Sequence, residues 1–375
     1  MKKILFVTNY PSPYRVDFFN QLGQKDSIQL DVVFLESIGE QTHRSAGWFH
    51  DDYDFFNAIF LDKTIKISRS FFVCKDIISL VKKPYDEIIF GGYNYPTMIY
   101  AMIYLRTHKR SFSIEIDGGL IAEDSYLKYA VKRFLISGAS KWYSTGAFSD
   151  KYLLHYGAEE KSIYHYPFSS LKDSDIDSDH LSKIEVEKRK REYRTTLHIE
   201  EEKVVLAVGQ FIHRKGFDIL LKCVKQLPND IGIYIVGGTA PREYQDFISS
   251  NKLTNVHIVD FKPKDELSKY YFAADIFVLP TREDIWGLVI NEALAHGVPT
   301  ITTNRCVAGI EMIENGKNGF IVDVDNEEQL CNAIVKCFNS DLYVMRKNAL
   351  AISKKYTIEK MADRHEQIIS GGSYE

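Results

Sequence analysis

The stretch from Thr281 to Pro299, TREDIWGLVINEALAHGVP, carries the residue types and spacing best suited to chemistry. Glu283 and Asp284 lie in an acidic turn, Gly287 follows, and Glu292 supplies another carboxylate eight positions after Asp284. Phe277-Val278-Leu279 reads as a buried strand ending at Pro280, and Leu288 to His296 has helical spacing with Gly297 as its stop. A helix thus opens just beyond a strand's carboxyl end. Its unpaired amides, around Gly287, Leu288 and Val289, suit a phosphate. Asp284 precedes that cradle and Glu292 lies two turns in, so the two can hold different parts of one elongated anion, the shape of a nucleotide sugar. Taken alone, the pair reads as well as a helix cap and a solvated side chain.

A similar cradle stands upstream. Val204 to Gly209 is an apolar strand, and Gln210 to Gly216 a polar loop before a helix that buries Phe217, Leu220, Leu221 and Val224 at helical spacing. Arg214 and Lys215 precede that helix and make either a diphosphate clamp or solvated surface. In the first half, Asn9 to Arg15 forms a loop after the first strand, where Tyr14 and Arg15 can meet an anion or simply follow a proline-stiffened turn. The strand Ser111 to Ile116 ends in Asp117-Gly118-Gly119, a site candidate and equally ordinary turn chemistry. The loop Gly91 to Tyr95 offers Tyr93 to a sugar face, a weak signal in a chain with 23 tyrosines.

The elements that must position these residues alternate short apolar strands with amphipathic helices, the pattern of parallel α/β sheets. One series runs through strands Lys3 to Val7, Leu30 to Leu35, Glu87 to Phe90, Ser111 to Ile116 and Lys141 to Ser144, with helices starting near Tyr14, Phe71, Pro96, Tyr126 and Ser149. A second runs through Lys203 to Val208, Gly232 to Val236, Val256 to Val259, Asp275 to Leu279, Thr300 to Thr302 and Gly319 to Val322. We therefore expect an N-terminal α/β domain over 1–170, a linker and lead-in helix over 171–202, and a C-terminal α/β domain over 203–355. A last helix over 356–375 is expected to return toward the first domain.

A chain of 375 residues with 45% apolar content is long enough for two such cores. Its net charge of -4 argues against a nucleic-acid binder. The apolar start Ile4 to Val7 ends too soon for a signal peptide, no stretch is long enough to span a bilayer, and five cysteines lack metal spacing. The expectation is a cytoplasmic protein with free, mostly buried thiols and no cofactor or metal. Arg106, His108, Lys109 and Arg110 with Lys128, Lys132 and Arg133 form either a basic face for anionic membrane or a solvated side.

The ordered run of motifs over roughly 200–340 resembles the family 4 retaining glycosyltransferases. They are the strand ending in Gly209, Lys215-Gly216, Ile235-Val236-Gly237-Gly238, Asn255-Val256, Asp265-Glu266-Leu267, Ala274 to Pro280 and the acidic helix. The resemblance implies the GT-B architecture, two Rossmann-like doubly wound parallel-sheet domains facing across a cleft, with 1–170 binding the acceptor and 203–355 the nucleotide-sugar donor. It implies that Arg214 and Lys215 bind the donor diphosphate, Asp284 the sugar hydroxyls and Glu292 the ribose, with Gly237, Gly238 and backbone near Phe261 around the nucleotide. It further implies metal-independent transfer with retention of configuration from a UDP- or GDP-linked sugar to a glycan or lipid-linked glycan, in bacterial surface polysaccharide synthesis. Departures are Asp284 where Glu is usual, with Glu283 as a competitor, Gln210 where Arg is common, and Asp260 where Gly is frequent. Asp117 stands in the region where many members carry a histidine. These departures leave open a non-catalytic sugar-nucleotide-binding subunit; an epimerase or phosphorylase shares the architecture, and a lectin-like module would have no use for the two cradles.

Overall fold

The computed structural model describes residues 1–36, 52–66, 72–121 and 123–372. The chain divides into two compact units, 1–170 with 357–375, and 171–356.

In the first unit seven parallel strands lie in the order Asn57–Phe60, Ile28–Phe34, Lys2–Thr8, Glu87–Gly91, Ser113–Glu115, Lys141–Ser144 and Ile163–His165. The central strands are apolar on both faces because helices cover both: Ile4, Leu5, Phe6 and Val7 are all fully buried. Asn57–Phe60 and Ile163–His165 are strands that the periodicity does not single out, since both are short and partly exposed. The helix expected to begin near Phe71 has that start outside the described residues; the helix found in this part is Ile77–Val81.

The second unit is a six-stranded parallel sheet in the order Val256–Val259, Ile231–Val236, Lys203–Val208, Ile276–Leu279, Thr300–Thr303 and Gly319–Val322. Counting strands along the unit, this is 3-2-1-4-5-6, the doubly wound order whose direction reverses between the first and fourth strands. The first and fourth strands lie side by side at that reversal, the switch point where an open α/β sheet has its ligand crevice at the carboxyl edge. The lead-in helix Lys183–Thr196 is held by Lys190 and Arg194, both paired with the half of Asp275 nearest each, at 2.7 Å. Cys223 and Cys331 form a disulfide between helices Phe217–Val224 and Glu327–Phe338, with Cα atoms 5.4 Å apart. This corrects the expectation of free thiols throughout: the helices are packed side by side and bring the two sulfurs together. Cys74, Cys306 and Cys337 are free and buried.

The C-terminal helix Ile358–Ile369 completes the first unit's core. Its His365, fully buried, hydrogen-bonds the Glu115 carboxylate at 2.9 Å, and the other oxygen of Glu115 accepts from Arg15. Arg15 also pairs with Asp117 at 2.6 Å. Burial by itself would raise the Glu115 pKa, but the Arg15 charge and the His365 hydrogen bond outweigh it and hold the group down to about 2. The placement corrects the expectation for Arg15. It is 4% exposed, its guanidinium is taken up by two carboxylates, and it is not presented to an outside anion.

Arg15→Met strands two carboxylates without their cation and should cost about 3–5 kcal/mol of unfolding free energy, read from the urea midpoint. In the wild type a depressed Glu115 contributes stability fully present above the usual carboxylate range and lost as pH falls toward about 2. The gap between wild type and variant should therefore narrow on acidification.

Candidate functional site

The crevice of the second unit is built by two loops that hold each other. The loop after the first strand makes a short turn at His213–Lys215 and enters helix Phe217–Val224 through Gly216, whose φ is +69°. A Cβ at Gly216 would sit 1.9 Å from the Pro280 carbonyl oxygen, so only glycine allows the loop after the fourth strand to come this close. The Arg214 carbonyl accepts from the Arg282 amide and the Thr281 hydroxyl, each at 2.8 Å. Arg282 then grips Asp218 through two bonds of 2.8 and 2.7 Å and reaches Asp325 at 2.7 Å.

This frame sets the charges. Lys215 Nζ lies 2.6 Å from one Asp284 oxygen and Arg214 3.1 Å from the other, while Arg214 also donates to the Glu283 carbonyl at 2.7 Å. Asp284 is 8% exposed. Of the two adjacent acids it is therefore Asp284 that faces the cations; the Glu283 side chain, half exposed, turns to Arg305 at 3.6 Å. Two cations around one carboxylate leave a net positive charge with spare donors, since Arg has five N–H groups and Lys three.

Helix Leu288–Ala295 begins directly after this cluster. Its preceding residue, Gly287, has φ +98°, and a Cβ there would meet Cys306 Sγ at 2.8 Å. No side chain caps this end, so the Leu288 and Val289 amides have no capping oxygen from the preceding residue. Cys306, behind Gly287, has its thiol pushed up to about 12, chiefly by burial and then by the Asp284 charge. Gly237 and Gly238 follow the second strand at the same carboxyl edge, where Gly238 opens on free space. Phe261, two residues past the third strand, is exposed.

Glu292 is not a solvated helix side chain. Partly buried, it accepts from the buried Tyr271 hydroxyl at 2.9 Å. Burial raises its pKa, and Tyr271, Lys264 and Lys215 pull it back.

In the first unit Asp117 follows the fifth strand in the sheet order and has 37% of its side chain exposed. Burial raises its pKa, the neighbouring Glu115 charge adds to that, and Arg15 opposes it. The two carboxylates share one guanidinium, and Glu115, with His365 as well, holds its charge more firmly. Tyr14 packs edge-on to Phe168, with its hydroxyl pushed up to about 12 first by burial and then by Asp117. Tyr93 bonds the Tyr152 hydroxyl, and burial raises its pKa. Tyr93 is thus partly buried and engaged within its unit. Helix Tyr126–Ile136 exposes Tyr126, Leu127, Val131 and Phe134, but Lys128 and Lys132 are both paired with Asp124 at 2.8 Å. That leaves Arg106, Lys109, Arg110 and Arg133 without a carboxylate partner among the described residues.

Sequence reading missed Arg282 and Tyr271. Arg282 lies inside the quoted acidic motif, where a lone cation among acids is a usable signal. Tyr271 gives none, because its hydroxyl meets Glu292 only through the packing of two helices.

Because burial raises the Glu292 pKa, its charged form is disfavoured in the folded chain and stability falls as pH rises through its titration. Glu292→Gln should melt above the wild type at neutral pH, and the difference should shrink toward the acid side, as followed by circular dichroism.

The chain is similar to known proteins in sequence and in fold. Residues 188–357 match the family described as Glycosyl transferases group 1. An uncharacterized glycosyltransferase of Haemophilus influenzae is 31% identical over 178 residues, 45% of this chain and 49% of the relative, so the chain spans about half of that protein's length. The O-antigen biosynthesis glycosyltransferase WclY of Escherichia coli is 24% identical over 66% of this chain and 69% of its own. The crystal structure of Anabaena HepE in complex with UDP is similar across 98% of this chain and 100% of that chain, with a TM-score of 0.76 at 17% identity. Two parallel-sheet α/β units of this kind are the fold of GT-B glycosyltransferase structures. Residues 188–357 therefore form a Glycosyl transferases group 1 domain.

Proposed function

We propose that this chain is a retaining glycosyltransferase of family 4 that moves a sugar from a nucleotide-sugar donor to a hydroxyl of a glycan or lipid-linked glycan in bacterial surface polysaccharide synthesis. The observation that carries the reading is the Asp284 carboxylate held between Arg214 and Lys215 beside the uncapped helix end at Gly287. Charge develops on the departing diphosphate during transfer, and fixed cations with aligned amides stabilise it most where water is scarce. Lys215 and Arg214 would take the diphosphate, Asp284 would orient them and meet the sugar hydroxyls, and Glu292 would meet the ribose. Gly237, Gly238 and Phe261 would border the nucleotide. The leaving phosphate oxygen would accept the acceptor's proton on the same face of the sugar, which keeps the anomeric configuration. No metal is needed in this scheme, because the cations and amides supply the compensating charge. Asp117, with its raised pKa, would orient the acceptor hydroxyl.

UDP is the favoured nucleotide, supported by HepE structures solved with UDP and with UDP-glucose. Relatives named for O-antigen and lipopolysaccharide core biosynthesis support the surface-glycan setting. For a lipid-linked acceptor, the exposed Leu127, Val131 and Phe134 stripe with the four uncompensated cations would attach the protein to the inner face of the cell membrane. Among the described residues no helix is long and apolar enough to cross it.

The test is transfer and hydrolysis with UDP-, GDP-, ADP- and CMP-sugars, with and without EDTA. One class, UDP, should be turned over without metal, and Lys215→Ala should lower kcat by about 10²–10³-fold. Turnover abolished by EDTA, or a Lys215→Ala enzyme as fast as the wild type, would refute the scheme. Cosedimentation with anionic vesicles should be lost in Leu127→Asp, and binding unchanged by it would remove the membrane arm.

A further inference from the structure

The way Glu292 is held goes beyond its assignment to the ribose, although it rests on that reading. Glu292 lies on helix Leu288–Ala295, and Tyr271 on the preceding helix Lys264–Ala273. Tyr271 is 1% exposed, and its hydroxyl donates to Glu292 Oε2 at 2.9 Å. No bond to the other oxygen, Oε1, is found among the described residues, and it is not a buried orphan. One oxygen is therefore anchored and the other open.

The anchor is itself fixed. The Tyr271 ring stacks on His296 at 4.9 Å with an interplanar angle of 22°. His296 Nδ1 lies 2.7 Å from the Glu292 carbonyl and Nε2 lies 2.8 Å from the Ser268 hydroxyl. A carbonyl only accepts, so Nδ1 carries the proton and Nε2 accepts from Ser268. Burial lowers the His296 pKa, in keeping with that neutral form. The neutral ring thus stacks on the tyrosine, and the tyrosine hydroxyl bonds the carboxylate, one connected set across the two helices.

From this geometry we infer that Tyr271 is a positioning residue, which holds the Glu292 carboxylate in a single orientation with Oε1 turned to a diol such as the ribose hydroxyls of a nucleoside diphosphate. A glutamate on a helix face otherwise samples several rotamers, most of which point away from a given ligand. Fixing one oxygen by a buried donor removes that search before the ligand arrives. The same bond offsets part of the burial that disfavours the charged carboxylate.

The experiment is isothermal titration of the full chain with UDP and with its 2′,3′-dideoxy analogue, for wild type, Tyr271→Phe, Glu292→Ala and the double variant. Wild type should prefer UDP. Tyr271→Phe should weaken UDP binding about tenfold, the loss of one hydrogen bond to a charged group, and leave the dideoxy analogue unchanged. In the Glu292→Ala background Tyr271→Phe should have no further effect. If Tyr271→Phe weakens both ligands equally, or acts as strongly without Glu292, Tyr271 is merely structural and the inference is overturned while the donor reading stands. A wild type that binds UDP without regard to its ribose hydroxyls overturns the ribose assignment of Glu292, and the Tyr271 role with it.

Discussion

The second unit depends on how closely two strand-to-helix loops can approach, a constraint set by Gly216 against the Pro280 carbonyl oxygen. Once they meet, the Arg214 carbonyl receives two donors from the neighbouring loop, and the Arg214 and Lys215 side chains converge on Asp284. Opposite charges at about 4 Å attract by about 4 kcal/mol at an effective dielectric of 20, before desolvation is subtracted. The net stabilisation is small. What the arrangement provides is orientation: two cations and a helix end are fixed in place before any ligand arrives.

The first unit solves a different electrostatic problem. Arg15, Glu115 and His365 are buried together, and a charge in such a place needs a partner with sound geometry. Glu115 receives both a guanidinium and an imidazole, whereas Asp117 shares the guanidinium, accepts from the Tyr166 hydroxyl at 3.4 Å and remains partly exposed. Neighbouring carboxylates are thereby driven apart in pKa, Glu115 downward and Asp117 upward. The two carboxylates, two positions apart, thus have different surroundings, Glu115 buried in the core and Asp117 partly exposed beyond the strand's end.

Much of the fold was legible in the sequence, for a definable reason. Lys203–Val208, Val256–Val259, Gly319–Val322 and Lys141–Ser144 are apolar runs bounded by polar or turn residues, and local composition is enough to fix them. Asn57–Phe60 and Ile163–His165 escaped because edge strands are half solvated and carry no strong apolar signal. The strand-to-helix turns that carry Lys215, Asp284 and Gly287 were also legible, since a glycine, a carboxylate and a helix start at fixed spacing reflect the local backbone.

Residue type and spacing by themselves determined that two parallel α/β cores form and that a helix opens beside an acidic turn, because hydrophobic period and turn chemistry are properties of neighbouring residues. Only the tertiary structure decided which acid faces the cations, that Arg15 is buried rather than offered to a ligand, that Cys223 meets Cys331, and that Tyr271 holds Glu292. Each joins segments far apart in the chain or on different helices. Their geometry is set by the packing of sheet and helices, which no local pattern encodes.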